Sequence, residues 1–427
     1  MPQPSYRAPG VYVEEVPSAI KPIAGVSTST AAFIGIVPDN VNQVARNPGF
    51  NPGDPASHAS KVVSTAMPTP AKKVVLITNW SQFKLAFGDL LGNETADALP
   101  GTPTPDMNHR QLAHAVYGFF NNGGSRCYVA RVTAEADMDT VLGAMEAIDE
   151  ISLVCVPGLV SDSVRDRIVT HCAKLQDRFA IFDGPGPAAV TDLTTLTHLA
   201  ADTPPGVAPK STDFAAWYYP WIKVFDPATQ LLDSATGGSF AVPPSGHIAG
   251  IYARVDTERG VFKAPANVAV RGALDVTDAL SKADQNGLNP TGVNCIRVLN
   301  GNIYVWGART IGGDANADLK YVNVRRTLLF LRESIEEGTQ WAVFEPNSPE
   351  LWQKISRNVT AFLTTAWRAG ALFGTTAQEA FYVKCDAETN LQATIDQGQV
   401  ITEVGVAIVR PAEFVIFRIS QTAPTTK

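Results

Sequence analysis

The spacing of apolar residues between positions 108 and 200 switches repeatedly between a helical and a strand period. Leu112, Val116 and Phe119 recur at helical spacing, and the apolar run at 127–132 has the length of a strand. The same alternation predicts helices over 136–148 and 161–177 and strands over 151–156 and 179–182. Strands that alternate with helices favour a layered sheet flanked by helices. We therefore predict a layered α/β middle domain.

A second patterned stretch begins at residue 293. The apolar runs 293–299 and 303–306 flank Asn300-Gly301, a pair that favours a tight hairpin turn. Farther on, Val324, Leu328, Leu331 and Ile335 recur at gaps of four, three and four. This spacing predicts a helix buried on one face, with Gly338 as a plausible stop. Arg325, Arg326 and Arg332 fall mostly off the apolar stripe.

The stretch 349–369 has the clearest helical pattern in the chain. At about 100° per residue, one arc is filled by Leu351, Ile355, Val359, Phe362, Leu363 and Ala366. Lys354, Arg357 and Arg368 gather on the opposite side. This basic face has two interpretations, a solvated surface or a contact with a partner.

Both ends of the chain predict extended segments. Five prolines forbid a helix through most of residues 1–22, and 11–16 is a short β-prone run. Near the other end, EFVIFRIS at 413–420 places Phe414 and Ile416 on one side and Val415, Phe417 and Ile419 on the other. A strand that is apolar on both faces requires cover on both, from its own domain or from a neighbour. Residues 38–71, which contain few large apolar side chains, predict a long loop or a small surface insertion.

Length and charge limit the function. A chain of 427 residues exceeds one ordinary core, so two or three domains are expected. A net charge of −7 argues against nucleic acid as the main partner, because phosphate binding needs concentrated Lys and Arg. No apolar run approaches the roughly 20 residues of a membrane span. The first ten residues lack the features of a signal peptide, so we expect the protein to stay in the cytoplasm after synthesis.

Three groups of residues contain the side-chain types of a chemical site. Asp183-Gly-Pro-Gly-Pro follows a strand, but its prolines donate no N–H to a phosphate. Ser245, His247 and Asp256 suggest a triad, yet positions i and i+2 do not face each other on a helix; we expect Ser245 to be an N-cap. His109 and His114 have the wrong spacing for one helical face and for a metal site. We predict no catalytic, cofactor or metal site, and we expect all five cysteines to be reduced, mostly within apolar segments.

Longer motifs resemble a known family. LNPTGVNCIRV, VWGARTI and YVNVRRTLLFLRESIEEG are similar to the C-terminal domain of contractile tail sheath proteins. YRAPGVYVEEV, PPSGHIAGIYARVDTERGVFKAPAN, WAVFEPNSPELW and GALFGTT resemble further stretches of that family. These proteins form the outer sheath of contractile phage tails and bacterial contractile injection systems.

The resemblance implies a structural subunit that polymerises helically around an inner tube and contracts on stored conformational energy. It implies terminal arms that add strands to neighbouring subunits, here Val11, Tyr12, Val13, Glu14 and Val16 at one end and Phe414, Val415, Ile416, Phe417 and Ile419 at the other. It also implies a tube contact on a C-terminal helix, for which Lys354, Arg357 and Arg368 are our candidates and the 324–335 helix is the alternative. Partners would be the chain itself, an inner tube protein, and baseplate and terminator proteins, without nucleic acid or direct membrane insertion.

These expectations give a multidomain α/β and α+β chain. We predict an N-terminal arm (1–22), strands with the insertion (23–107), the α/β middle domain (108–275), an α+β C-terminal domain (276–410) and a C-terminal arm (411–427). Two other functions remain open: an α/β hydrolase-like enzyme with a site after a strand end, and another tail or baseplate protein. The α/β alternation disfavours the second, because such proteins are usually β-rich. The sequence is compatible with three kinds of particle: a phage tail, a secreted injection device and a membrane-anchored system.

Overall fold

The computed structural model describes residues 22–54, 57–101, 103–187 and 189–416. The strands are β1 Ala31–Ile36, β2 Asn40–Arg46, β3 Ser60–Ala66, β4 Val75–Ile77, β5 Cys127–Val132, β6 Leu153–Cys155, β7 Phe179–Asp183, β8 Ala215–Tyr219, β9 Ile222–Phe225, β10 Ser239–Val242, β11 Val268–Ala269, β12 Ala273–Val276, β13 Val293–Leu299, β14 Asn302–Val305, β15 Phe381–Lys384 and β16 Glu403–Val406. The helices are α1 Trp80–Phe87, α2 Met107–Asn122, α3 Met138–Glu146, α4 Asp162–Leu175, α5 Pro227–Leu232, α6 Ser245–Arg259, α7 Lys282–Leu288, α8 Val322–Thr339, α9 Pro349–Arg368, α10 Ala377–Ala380 and α11 Gln392–Asp396.

A nine-stranded sheet forms the centre, in the order β11-β14-β13-β8-β7-β6-β1-β5-β4. The six strands from β13 to β5 are parallel, and β4, β14 and β11 add antiparallel edges. Successive residues of β1 enter different cores: Phe33 packs with α2 and α6, and Ile34 packs with α3 and α4. The predicted layered α/β architecture is confirmed. The central sheet contains strands from both sides of residue 276, where the C-terminal domain was predicted to begin, because β13 pairs with β8.

Helices α2 and α6 cross at unusually short range. A Cβ at Gly246 would lie 2.2 Å from the Ala115 carbonyl oxygen, and one at Gly250 would lie 2.4 Å from that of Phe119. Only glycine permits this approach. The crossing buries α6 almost all round, from Ser245 to Val255.

The segment predicted as a loop or insertion contains a regular hairpin. Strands β2 and β3 pair from Asn40 opposite Ala66 to Arg46 opposite Ser60. Val41 and Val63 enter the interior, and Gln43 donates to the Asp89 carbonyl oxygen at 2.6 Å. The long-loop prediction was therefore wrong. The few buried side chains of this hairpin gave too weak a hydrophobic pattern.

The later predicted elements are close to those found. The β13–β14 hairpin turns at Asn300 and Gly301, with φ of 51° and 80°. Helix α8 continues to Thr339, so Gly338 is not its stop; a Cβ at Gly338 would lie 2.6 Å from the Ile23 side chain. The prediction that α8 is buried on one face fails for its first half, where Arg325 and Arg326 are buried as well, and agrees with its second half, where Arg332, Glu336 and Glu337 are exposed.

Candidate inter-subunit surface

A two-stranded sheet lies on the C-terminal part of the body. Strands β15 and β16 are antiparallel, with Phe381 opposite Val406 and Lys384 opposite Glu403. The side chain of Phe381 joins the core that α9 forms with Val359 and Leu363. Within the described part of the chain, each strand has the other as its sole strand partner. Their outer edges therefore present backbone groups to which a further strand can bind.

The chain leaves this sheet along a fixed path. The Val409 N–H donates to the Ala371 carbonyl oxygen at 3.2 Å, and Asn323 Nδ2 donates to the Val409 carbonyl oxygen at 3.2 Å. Four residues later the Glu413 carboxylate is held against the body. We call this arrangement the Glu413 clamp: Glu413 with Arg309, Asn289 and Tyr321.

The Glu413 clamp is made of charge-assisted hydrogen bonds. Arg309 donates from Nε to Oε1 and from Nη2 to Oε2, both at 2.8 Å. Asn289 Nδ2 donates to Oε1 at 2.8 Å and Tyr321 Oη donates to Oε2 at 2.9 Å. Burial alone would raise the pKa of Glu413, but the bonds from Arg309 and Asn289 outweigh it and lower the pKa below its ordinary value. The carboxylate is therefore ionised at neutral pH, as a bidentate pair requires.

The residues after the clamp turn their apolar side chains outward. Phe414, Val415 and Ile416 are 69%, 70% and 78% exposed. They begin the predicted C-terminal strand, and they form no strand in this structure. Large contiguous patches of exposed apolar surface are typical of interaction sites. The other predicted arm residues, Phe417 and Ile419, and Val11, Tyr12, Val13, Glu14 and Val16, lie outside the described residues.

The basic residues of α9 lie on its outer side. Arg357 and Arg368 are exposed. Lys354 is half-buried and pairs with Glu350, one turn earlier, at 2.7 Å. In the alternative helix α8, Arg325 and Arg326 are buried and pair with Asp213 at 3.3 Å and Asp256 at 2.6 Å.

Ser245, His247 and Asp256 have separate structural roles. Ser245 Oγ donates to Asp183 Oδ2, and the Ser245 N–H donates to Oδ1, both at 2.7 Å. Ser245 is thus the first residue of α6 rather than its N-cap, and the expected cap was wrong because a carboxylate from β7 takes that place. Burial lowers the pKa of His247 to about 3, and Asp256 binds Arg326. The three side chains do not form a nucleophile–base–acid chain.

The two histidines His109 and His114 make structural hydrogen bonds. His109 Nε2 bonds the Phe87 carbonyl oxygen at 2.7 Å, and His114 Nε2 bonds Asp226 at 2.8 Å. No group of three metal-ligating side chains occurs among the described residues. All five cysteines are free and buried, as expected. Among the helices described, none combines the length and apolar content of a membrane span.

Comparison with known proteins identifies the family of the chain. A family model described as phage tail sheath protein central domain matches residues 132–311, and one described as phage tail sheath C-terminal domain matches residues 314–422. The chain belongs to the contractile tail sheath family. Within that family, a putative prophage major tail sheath protein of Pseudomonas aeruginosa (strain UCBPP-PA14) is 26% identical over 309 residues, which cover 69% of this chain and 75% of the relative.

Two sheath assemblies of known structure match nearly end to end. A chain of the contracted helical sheath of the anti-feeding prophage has a TM-score of 0.66 and 28% identity over 98% of this chain and 100% of its own. A chain of the contracted sheath of the extracellular contractile injection system PVC has a TM-score of 0.70 and 27% identity over 98% and 99%. The predicted family and fold are confirmed. Sequence reasoning missed the Glu413 clamp, because no local pattern relates Glu413 to Arg309, 104 positions away.

Proposed function

We propose that this chain is the sheath subunit of an extracellular contractile injection system. Many copies polymerise helically around an inner tube and contract to drive the tube through a target envelope. The match over 98% of the chain to chains of two contracted sheaths, one of them from an extracellular contractile injection system, carries the proposal. The prophage relative from P. aeruginosa aligns over 69%. Assembly takes place in the cytoplasm, and the finished particle is released.

Terminal strands link the subunits. The strand at 11–16 of one neighbour and the strand at 414–419 of another add to the outer edges of the β15–β16 sheet. Three observations support this: the two edges have no strand partner among the described residues, Phe414–Ile416 are exposed, and a strand apolar on both faces needs cover. Backbone hydrogen bonds supply the affinity. The strands stay paired while the bodies rotate during contraction.

The outer side of α9 grips the tube. Arg357 and Arg368, with Lys354 beside them, present positive charge on a regular helix. Exposed ion pairs contribute about 0–1 kcal/mol each. A weak contact of this kind suits a grip that a collective transition must break. The free energy of contraction comes from new contacts between subunits, and baseplate and terminator proteins hold the two ends of the polymer.

Assembly of the purified chain tests the proposal. In negative-stain electron microscopy, the full chain should form hollow cylinders. Deleting residues 1–22, or residues 414–427 so that Glu413 remains, should abolish the cylinders while circular dichroism shows a folded body. Intact cylinders from either truncated chain would contradict the exchange of strands.

A further inference from the structure

The C-terminal strand and the open sheet edges belong to the same chain, which creates a competing arrangement. Residues 407–413 separate β16 from Phe414, and a connection of this length suffices for a hairpin. The strand at 414–419 could then return to β16 of its own subunit. Such a closed subunit would have neither a strand to give nor that edge to receive one.

The connection is held away from a hairpin path at several points. The Phe373 N–H donates to the Ala407 carbonyl oxygen at 2.7 Å, and Val409 is bonded on both sides, to Ala371 and Asn323. The last fixed point is Glu413, whose two carboxylate oxygens accept four hydrogen bonds. Residues 407–413 are thus occupied by contacts with the body and cannot serve as a turn while those contacts persist.

The receiving side of the clamp is buried and held by further hydrogen bonds. The Arg309 side chain is 4% exposed and also donates to the Asn289 carbonyl oxygen at 2.9 Å. Its backbone is bonded in both directions to the side chain of Asn294 on β13, at 2.7 Å and 2.8 Å. Release of Glu413 would leave a buried guanidinium with Asp314 as its remaining carboxylate partner, at 3.1 Å. Loss of the bidentate carboxylate partner of a buried guanidinium is costly, so the clamped path is favoured.

We propose that the Glu413 clamp prevents the C-terminal strand from folding back onto its own β15–β16 sheet. The strand and the sheet edge both remain available to a second copy of this chain. The role assigned to the clamp rests on the proposed exchange of strands between subunits. Glu413 is a positioning residue: its carboxylate is engaged by Arg309, Asn289 and Tyr321 of its own chain, and it acts through the path of the residues that follow it.

A distance measurement on the full-length chain tests the clamp without relying on assembly. We would introduce Glu403→Cys on β16 and Ile416→Cys after the clamp, attach a nitroxide to each, and measure their separation in dilute protein. The native thiols do not compete for label, since all five are buried. The labelled chain should give a single distance distribution. Glu413→Ala should add a shorter-distance population, and Glu413→Gln, which keeps the size of the side chain and loses its charge, should add a smaller one.

The expected increase of the short-distance population in Glu413→Ala is on the order of tenfold, equivalent to about 1.4 kcal/mol. Glu345→Ala, a matched change at an exposed carboxylate on another loop, should leave the distribution unchanged. An unchanged distribution in Glu413→Ala, or a short-distance population that is equally large with Glu413 intact, would overturn the proposal. Failure of the full chain to form cylinders would count against the proposed function and would leave this result as it stands.

Discussion

Arg326 on α8 forms a bidentate ion pair with Asp256 on α6. Its Nη1 and Nη2 lie 3.0 Å and 2.6 Å from the two carboxylate oxygens, and both side chains are almost fully buried, at 3% and 5% exposure. Thr28, before β1, donates to the same carboxylate at 2.6 Å and accepts from Arg326 through its carbonyl oxygen at 2.8 Å. The pair therefore joins α8 to the central α/β layers.

Replacing either partner should destabilise the subunit strongly. Arg326→Ala leaves Asp256 buried without its cation, a loss of about 3–5 kcal/mol in the free energy of unfolding. Urea denaturation of the unassembled chain measures this. Arg332→Ala, on the exposed side of the same helix, is the control and should cost under about 0.5 kcal/mol. Equal effects of the two changes would show that the buried pair has no special role.

The close crossing of α2 and α6 gives a second prediction. Gly250→Ala places a methyl group 2.4 Å from the Phe119 carbonyl oxygen, so the helices must separate. We expect a loss of about 1–3 kcal/mol, as in other overpacked cores. Gly143→Ala is the matched control, because Gly143 lies on the exposed side of α3 and a methyl group added there would have no atom within 4 Å. That change should stabilise by about 0.5–1 kcal/mol. In thermal unfolding, Gly250→Ala should lower the Tm and Gly143→Ala should raise it.

The sequence predicted elements whose signal is local. The Asn300-Gly301 turn and the apolar arc of α9 were found almost at their predicted bounds. The sequence-based predictions failed where a residue far away in the sequence determines whether a side chain is buried or capped. Arg326 lies off the apolar stripe of α8 and is buried all the same, because Asp256, 70 positions earlier, neutralises it. Serine is a residue type that is favoured at N-caps, yet at Ser245 the capping oxygen comes from Asp183 on β7. Periodicity carries no information about such pairs.

The pH dependence of stability depends in part on Glu333. This side chain on α8 faces Asp149, Asp177, Glu336 and Glu337. Burial, followed by these negative neighbours, raises its pKa from 4.5 to about 7. Because the folded pKa is above the unfolded value, the stability that protonated Glu333 contributes is fully present below pH 4.5 and is lost as the pH rises through 7.

Glu333→Gln should therefore raise the Tm at pH 8 and leave it unchanged at pH 4. Differential scanning fluorimetry of the unassembled chain across this range tests the sign. Glu345→Gln, at an exposed loop position, should change the Tm at neither pH. A Tm gain in Glu333→Gln that is the same at every pH would rule out titration of Glu333 as the cause.

Contact with the inner tube predicts a charge effect without a stability effect. Arg357→Glu combined with Arg368→Glu should weaken co-sedimentation of the sheath with tubes, and the difference from the unchanged chain should shrink at high salt, since exposed charges are screened. Because both side chains are exposed, the Tm should not move. Arg332→Glu on α8 is the control. Loss of tube binding in the control alone would assign the grip to α8.

The central claim is that neighbouring copies complete the β15–β16 sheet. Cryo-electron microscopy of assembled cylinders, at a resolution that separates strands, tests it most directly. Our account predicts four strands at this position, with the strand at 11–16 from one neighbour and that at 414–419 from another beside the strands Phe381–Lys384 and Glu403–Val406. Cylinders in which the sheet keeps two strands, or in which the added strand belongs to the same subunit, would contradict it.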